Sequence, residues 1–333
     1  MKVLLYNMTP EQMFYVKQWR EEHPEDDIET TEEILDASTV DEAKDFDCVS
    51  LMQVVDIDEE EVYKKLASFG IKQIALRSVG YNIINWDYVH KYDLFVTNTP
   101  AYSPRAVAEN VLTSAMYLLR NWGQIFYNEQ HDLNFVREEN LMSDEIYNKT
   151  VGIIGLGRIG SAVAEIFSSL GAKVIGNDLI ENPANEAFLE YTDFDTVIQN
   201  ADILTLHTPL DPSIVDMISA KQFKEMKNSA IIINAARGPL INTQDLVEAL
   251  KEHEIAGAAL DVLTEENDFF MKKFNDISEL PQTYQELAKM PNVVVTPHSA
   301  YYTKTSVKNM IVHSLTDIKR VLNGQKPVYL VEL

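Results

Sequence analysis

Residues 150–178, TVGIIGLGRIGSAVAEIFSSLGAKVIGND, read as strand, glycine turn, helix, second strand and a terminal acid. The run VGIIG is apolar on both faces, as a strand inside a parallel sheet must be, and Gly155, Gly157 and Gly160 follow it in GxGxxG spacing. Gly155 permits the tight turn, Gly157 lets the backbone approach a pyrophosphate, and Gly160 lets the new helix lie close to its strand. That helix begins at Arg158 and Ile159, and its unpaired N–H groups and positive dipole end face the phosphates. The second strand, KVIGN, ends at Asp178, whose carboxylate can accept both ribose hydroxyls of an adenosine. A 2′-phosphate would be repelled there, and Leu179, Ile180 and Glu181 supply no cation to receive one. The stretch therefore predicts a dinucleotide site for NAD.

At 333 residues the chain is long enough for two domains. Its composition, 46% hydrophobic and 24% charged, is that of a globular protein. The formal net charge of -24 argues against a nucleic-acid partner or an anionic membrane surface, since both require basic patches. It also means that an anionic substrate needs a positive group inside its site. Cys48 is the only cysteine, which excludes an intrachain disulfide and points to a cytoplasmic setting. The N-terminal MKVLLYNMTP reads as a first strand, not a signal peptide, and no stretch reaches the roughly 18 apolar residues of a membrane span.

Working outward, strands and helices alternate on both sides of the fingerprint. KVLLY, a short DIETT, CVSLM, IKQIALRS and LFVTN read as strands of a first α/β unit. That unit lacks a phosphate fingerprint, although Ser78, Val79 and Gly80 end a strand where backbone N–H groups can face a ligand. Ser103 and Pro104 open a helix, SPRAVAENVLTSAMYLLRNWGQ, whose Val107, Val111, Ala115 and Leu118 fall at helical spacing for burial against a domain or a second subunit. Beyond Asp178 come the strands DILTLHTP, SAIIINAARG, IAGAALDV and NVVVTPH, and a last helix near Tyr301–Val321. The expected architecture is α/β, two doubly wound parallel-sheet domains, Rossmann-like and flavodoxin-like, with a cleft between them. The expected boundaries are 1–101 plus about 300–333 for a discontinuous substrate domain and 102–299 for the cofactor domain.

Open parallel sheets bind ligands beyond the carboxyl ends of their strands. The second domain delivers His207 and Thr208, Arg237, Asp261 and His298 there, with Glu265 and Glu266 close behind Asp261. An arginine can hold a substrate carboxylate bidentately, a histidine can exchange a proton, and a carboxylate can hold that histidine. Beside a nicotinamide, this constellation suits interconversion of a 2-keto acid and a 2-hydroxy acid. His298 and His207 compete for the proton-exchange role, and position favours His298. No metal-ligand motif is present, so no metal is expected.

GLGRIG, AARGPLINT around Arg237, ALDVLTEE around Asp261 and Glu266, and TPHSAYYT around His298 together resemble the D-isomer-specific 2-hydroxyacid dehydrogenase family. NTPAYSPRAVAEN, YLLRN and PHSAYYTKTSVKNM are similar to the D-lactate dehydrogenases of lactic acid bacteria in that family. The resemblance implies that Arg237 binds the substrate carboxylate, that His298 donates the proton in pyruvate reduction, and that Glu266 orients and tunes it, extending reduction to higher pH. It places Thr208, Pro209, Ala235, Ala236 and Asp261 on the cofactor, and Val79, Gly80 and Tyr102 in the substrate site. It implies a homodimer, here resting also on the apolar helix from Ser103 to Asn121. Met52 stands where several such enzymes carry an aromatic residue, so the site is expected to admit longer keto acids as well, with Tyr301 as its other wall. Pyruvate leads; a broader D-2-hydroxyacid dehydrogenase for branched or aromatic acids is the alternative, and an NAD-sensing interaction module a remoter one.

Overall fold

The computed structural model describes residues 1–332. The first stretch gives β1 (Lys2–Tyr6), α1 (Pro10–Glu22), β2 (Asp27–Thr30), β3 (Cys48–Leu51), α2 (Glu60–Ser68), β4 (Gln73–Leu76), α3 (Trp86–Lys91) and β5 (Phe95–Thr97). Its strands run parallel in the order β2-β1-β3-β4-β5. This is the flavodoxin-like doubly wound order, with its switch point between β1 and β3. CVSL of β3 and QIAL of β4 are buried at every position, as strands covered on both faces must be.

The second stretch gives α4 (Pro104–Leu119), α5 (Trp122–His131), β6 (Thr150–Ile154), α6 (Arg158–Ser169), β7 (Lys173–Asn177), β8 (Glu190–Tyr191), α7 (Phe194–Asn200) and β9 (Ile203–Leu206). It continues through α8 (Ala220–Glu225), β10 (Ile231–Asn234), α9 (Thr243–Lys251), β11 (Gly257–Leu260), α10 (Glu266–Phe269), α11 (Gln282–Leu287) and β12 (Val293–Val295). These strands are also parallel, in the order β12-β11-β10-β9-β6-β7-β8. Read from β8, that is the Rossmann order with one added edge strand, and its switch point falls between β6 and β9. The final α12 (Lys304–Leu322) packs on α1, burying Ile311, Leu315 and Ile318 with Val16 and Trp19. By its contacts the chain forms two units, residues 1–103 with those from 302 onward, and residues 104–301.

One expectation about the helix after Ser103 is corrected. It does not run on to Gln124: α4 stops at Leu119, and Asn121 takes φ 52° before α5 begins. Asparagine tolerates that left-handed turn, and Gly123 allows α5 to press on Pro291, whose carbonyl oxygen lies 1.9 Å from where a Cβ would stand. Of the two partners open to its apolar face, a domain or a second subunit, α4 takes its own domain. Ala108, Val111, Ala115 and Leu118 are buried with Val163 and Phe167 of α6 and Ile231 of β10. The exposed large apolar side chains of this region instead lie on α5 and the segment after it: Trp122, Phe126, Leu133, Phe135, Val136 and Met142.

Candidate functional site

The glycine turn has the geometry a dinucleotide requires. Gly155 has φ +90°, and a Cβ there would sit 2.7 Å from the His207 carbonyl carbon and the Thr208 nitrogen. A Cβ on Gly160 would lie 2.0 Å from the Gly155 oxygen, so any side chain would drive α6 off β6. Gly157, the N-cap of α6, faces open space: a Cβ would meet nothing within 4 Å. Arg158 and Ile159 begin the twelve-residue α6, whose leading N–H groups have no intrahelical acceptor. The Thr208 hydroxyl is buried and unpartnered beside Gly155, whereas Pro209 is exposed. At the end of β7, Asp178 accepts the Leu156 N–H through Oδ2 and the Ile180 N–H through Oδ1. That fixes its orientation and leaves each oxygen a second lone pair. An open glycine, an orphaned hydroxyl and a braced carboxylate together fit the NAD read from the sequence.

A second group gathers at the ends of β10, β11 and β12. Asn234 closes β10 and braces the next turn: its amide donates to the Arg237 carbonyl at 2.9 Å and accepts the Ala236 N–H at 3.0 Å. Ala235 is half-buried, Ala236 is buried, and the Arg237 guanidinium donates to the Ala236 carbonyl at 2.6 Å. The following Gly238 abuts Leu263 so closely that a Cβ would lie 2.1 Å from its carbonyl carbon. Leu263 in turn donates its N–H to Glu266 Oε2 at 3.0 Å, and the other carboxylate oxygen, Oε1, lies 2.9 Å from His298 Nδ1. Backbone contact and hydrogen bonds thus link the Arg237 turn to the histidine. The Glu266 side chain is 16% exposed and that of His298 36%, so the carboxylate is shielded while the imidazole can be reached. Glu265 points elsewhere and accepts from Thr283.

His298 sits at φ +50°, an uncommon conformation for a side chain other than glycine. Asp261 maintains it. Its carboxylate, 4% exposed, accepts the Thr296 hydroxyl at 2.5 Å and the N–H groups of Ser299 and Ala300 at 2.8 and 2.9 Å, while its carbonyl accepts the His298 N–H. Burial raises the Asp261 pKa against those hydrogen bonds. Both oxygens of this carboxylate are thus engaged in fixing the loop that carries His298. Tyr301 follows, with its ring edge-on to His298 at 6.3 Å. His207 is a different kind of histidine: Nε2 pairs with the Thr205 hydroxyl at 2.9 Å, Nδ1 is buried without a partner, and burial pushes its pKa down to about 3. It is neutral through the working range and has no carboxylate to hold it. Asn234 and Thr296 were not singled out in the sequence; their signal was a polar residue closing an apolar strand.

In the first unit, the ends of β3 and β4 carry the remaining expected residues. Met52 is half-buried; its carbonyl accepts from the Asn7 amide at 2.6 Å and its sulfur lies 3.6 Å from Gln12 Nε2. After β4, the carbonyls of Ser78, Val79 and Gly80 accept from Thr99, Asn98 and the Ser78 hydroxyl, respectively. The N–H groups of Val79 and Gly80 donate to no described acceptor, which leaves a donor-rich turn. Tyr102 is buried, with its carbonyl accepting from Asn309 at 2.6 Å. His23, Glu25 and Asp26 converge as metal ligands could, but the Lys319 ammonium already lies among them, 3.1 Å from Asp26 and 3.5 Å from His23.

Two doubly wound sheets, a dinucleotide turn and a carboxylate-held histidine beside an arginine turn define a two-domain α/β protein of the oxidoreductase type. Residues 112–300 match the model of the D-isomer specific 2-hydroxyacid dehydrogenase NAD-binding domain. The chain belongs to that family. It is similar over 100% of both chains to a D-isomer specific 2-hydroxyacid dehydrogenase from Lactobacillus delbrueckii ssp. bulgaricus in its NAD-complexed form, at 52% identity and a TM-score of 0.91. The D-lactate dehydrogenase of Lactobacillus jensenii, solved with NAD+, is 50% identical over 100% of both chains, again with a TM-score of 0.91. The D-2-hydroxyacid dehydrogenase (NAD(+)) of Clostridioides difficile is 36% identical over 97% of both chains.

Proposed function

We propose that this protein is an NAD-dependent D-2-hydroxyacid dehydrogenase whose leading reaction is the reversible reduction of pyruvate to D-lactate. The observation that carries the reading is the Glu266–His298 pair at 2.9 Å, joined through Leu263 to the Arg237 turn and held in the same sheet as the glycine turn. NAD, when bound, supplies or receives the hydride. Gly155, Gly157, Arg158, Ile159, Gly160, Asp178, Thr208, Pro209, Ala235 and Ala236 would hold it. Arg237 binds the substrate carboxylate through its planar fork, which also provides the local cation that a chain of net charge -24 requires. Glu266 accepts from Nδ1–H of His298, so Nε2 is the atom that gives its proton to the keto oxygen in reduction and takes it back in oxidation. Asp261 holds the loop of His298 in its left-handed turn.

In this proposal residues 1–103 with those from 302 onward form the substrate domain and 104–301 the NAD domain. Val79, Gly80 and Tyr102 contact the substrate, with Tyr301 beside His298. Met52, half-buried and flexible, leaves room for a side chain larger than methyl. A homodimer forms through α5 and the segment after it, where Leu133, Phe135, Val136 and Met142 are 67–80% exposed. A reducing, cytoplasmic setting suits Cys48, a buried free thiol. The test is NADH oxidation with pyruvate, 2-ketoisocaproate and phenylpyruvate side by side, with the chirality of each product determined. Highest kcat/KM for pyruvate with D-lactate as product is expected. Preference for the bulkier acids would assign the broader enzyme and make Met52 the determinant, and NADH binding without turnover of any keto acid would assign an interaction module.

A further inference from the structure

The side chain of Arg77 is the largest that is fully buried among the described residues, at 0% exposure, and it does not belong to the group around His298. It follows β4, donates its own N–H to the Leu51 carbonyl, and reaches across β3 to the end of β1. One terminal nitrogen donates to the Tyr6 carbonyl at 2.7 Å and the other to the Ser50 hydroxyl at 3.3 Å, while Nε has no partner. Ser50 is in turn 2.9 Å from the Ser314 hydroxyl of α12. Among the described residues no carboxylate pairs with the guanidinium, and burial alone lowers its pKa to about 9. A buried cation without a counter-ion is costly, and an apolar side chain of similar volume would serve packing better. The two buried carboxylates of this unit, Asp26 and Asp317, do not pair with Arg77: Asp26 is engaged with the N-terminus, Trp19 and Lys319, and Asp317 accepts the Val328 N–H through Oδ1 while its Oδ2 is buried without a partner.

The position of Arg77 gives its charge a use. It stands at the switch point of the first sheet, where ligands of doubly wound folds bind, and directly precedes the turn whose Val79 and Gly80 N–H groups are unengaged. We propose that Arg77 is a positioning residue for the anionic substrate: its buried guanidinium, unopposed by any carboxylate, supplies a fixed positive potential behind the Ser78–Gly80 turn that draws in and aligns the carboxylate of the 2-keto acid. The proposal rests on the reading that this turn meets the substrate. It also accounts for how so acidic a chain holds an anion without a basic surface. Buried charges are weakly screened, so the potential persists at physiological salt.

The test compares Arg77→Met, Arg77→Lys and Ser314→Asp in the full-length enzyme saturated with NADH. Loss of one charge at about 10 Å in protein surroundings weakens anion binding on the order of tenfold. Arg77→Met is therefore expected to raise the pyruvate KM and the inhibition constant of oxamate together by roughly that factor, with most of kcat kept and NADH affinity unchanged. Arg77→Lys, which keeps the charge, should recover most of both. Ser314→Asp places a carboxylate beside the guanidinium's partner Ser50; it should raise the same two constants while leaving Tm level or higher, and it decides the matter if Arg77→Met does not fold. Unchanged KM and oxamate constants in Arg77→Met or, failing that, in Ser314→Asp would overturn the proposal and leave Arg77 a strand clamp. A wild-type enzyme that neither turns over pyruvate nor binds oxamate would instead refute the parent reading before any variant is compared.

Discussion

Replacing Glu266 by glutamine probes the hydrogen-bond chain on which the proposed proton transfer depends. In the native protein each carboxylate oxygen serves one donor, Oε2 the Leu263 N–H at 3.0 Å and Oε1 the His298 Nδ1–H at 2.9 Å. An amide has one oxygen, and the Leu263 N–H is a fixed donor. If the amide oxygen stays with Leu263, its NH2 faces Nδ1, forces Nδ1 to accept and puts the imidazole proton on Nε2, the wrong tautomer for oxidation. If the amide turns over, the tautomer is kept, but two donors meet at Leu263. Either way the charge-assisted bond to the imidazole is gone. Such bonds contribute about 1.5–3 kcal/mol, so kcat for pyruvate reduction should fall by roughly ten- to a hundredfold. Because Glu266 is shielded and does not contact the cofactor turn, NADH affinity should hold within about twofold. Stopped-flow reduction with saturating NADH and pyruvate, alongside fluorescence titration of NADH, separates the two quantities. A fall in kcat of less than about threefold would refute the reasoning.

Gly160→Ala sets a Cβ 2.0 Å from the Gly155 oxygen, a backbone clash that should destabilise the second unit by about 1–3 kcal/mol and weaken NADH binding more than pyruvate binding; thermal melts and NADH titration check it. His207 yields a pH prediction. Its folded pKa of about 3 lies below the unfolded 6.5, so the unfolded chain binds the extra proton between those values and stability falls as pH drops through that window. From pH 7 to 5 this group alone accounts for a loss of about 2 kcal/mol, and His207→Gln should flatten that slope in urea titrations while keeping pyruvate turnover. Phe135→Asp, at a side chain 72% exposed, should convert a dimer to a monomer in light scattering with the fold intact by circular dichroism.

The fingerprint was legible because its glycines do separate jobs: contacts of 2.0 and 2.7 Å leave no other residue for Gly160 and Gly155, while Gly157 keeps the space in front of the helix open. The strands that carry the site were legible too, since runs such as IIIN and GAAL, buried at every position, have no polar face to mislead. What escaped reading depends on partners distant in sequence. Asn121 breaks the helix after Ser103 in a left-handed turn at φ 52°, beside Gly123 packed on Pro291, a residue far off in the sequence. The short α3 and α7 carry side-chain N-caps, Asn85 and Asp193, but runs of six and seven residues are too short to announce a helix by periodicity. The buried state of Arg77 could not be read from LRSVG, because nothing in that run says the guanidinium turns beneath the sheet end. Between His207 and His298 the residues alone favoured His298 only by position, and the family resemblance decided for it; the contacts that set the two apart, with Thr205, Glu266 and Leu263, are ones only the fold assembles.

The most direct test of the account is the effect of His298→Asn on pyruvate reduction, with His207→Gln measured beside it. The account predicts that His298→Asn loses roughly a hundred- to ten-thousandfold in kcat with NADH still bound, and that His207→Gln keeps most of its turnover. The reverse pattern, or substantial turnover without the His298 imidazole, would contradict it.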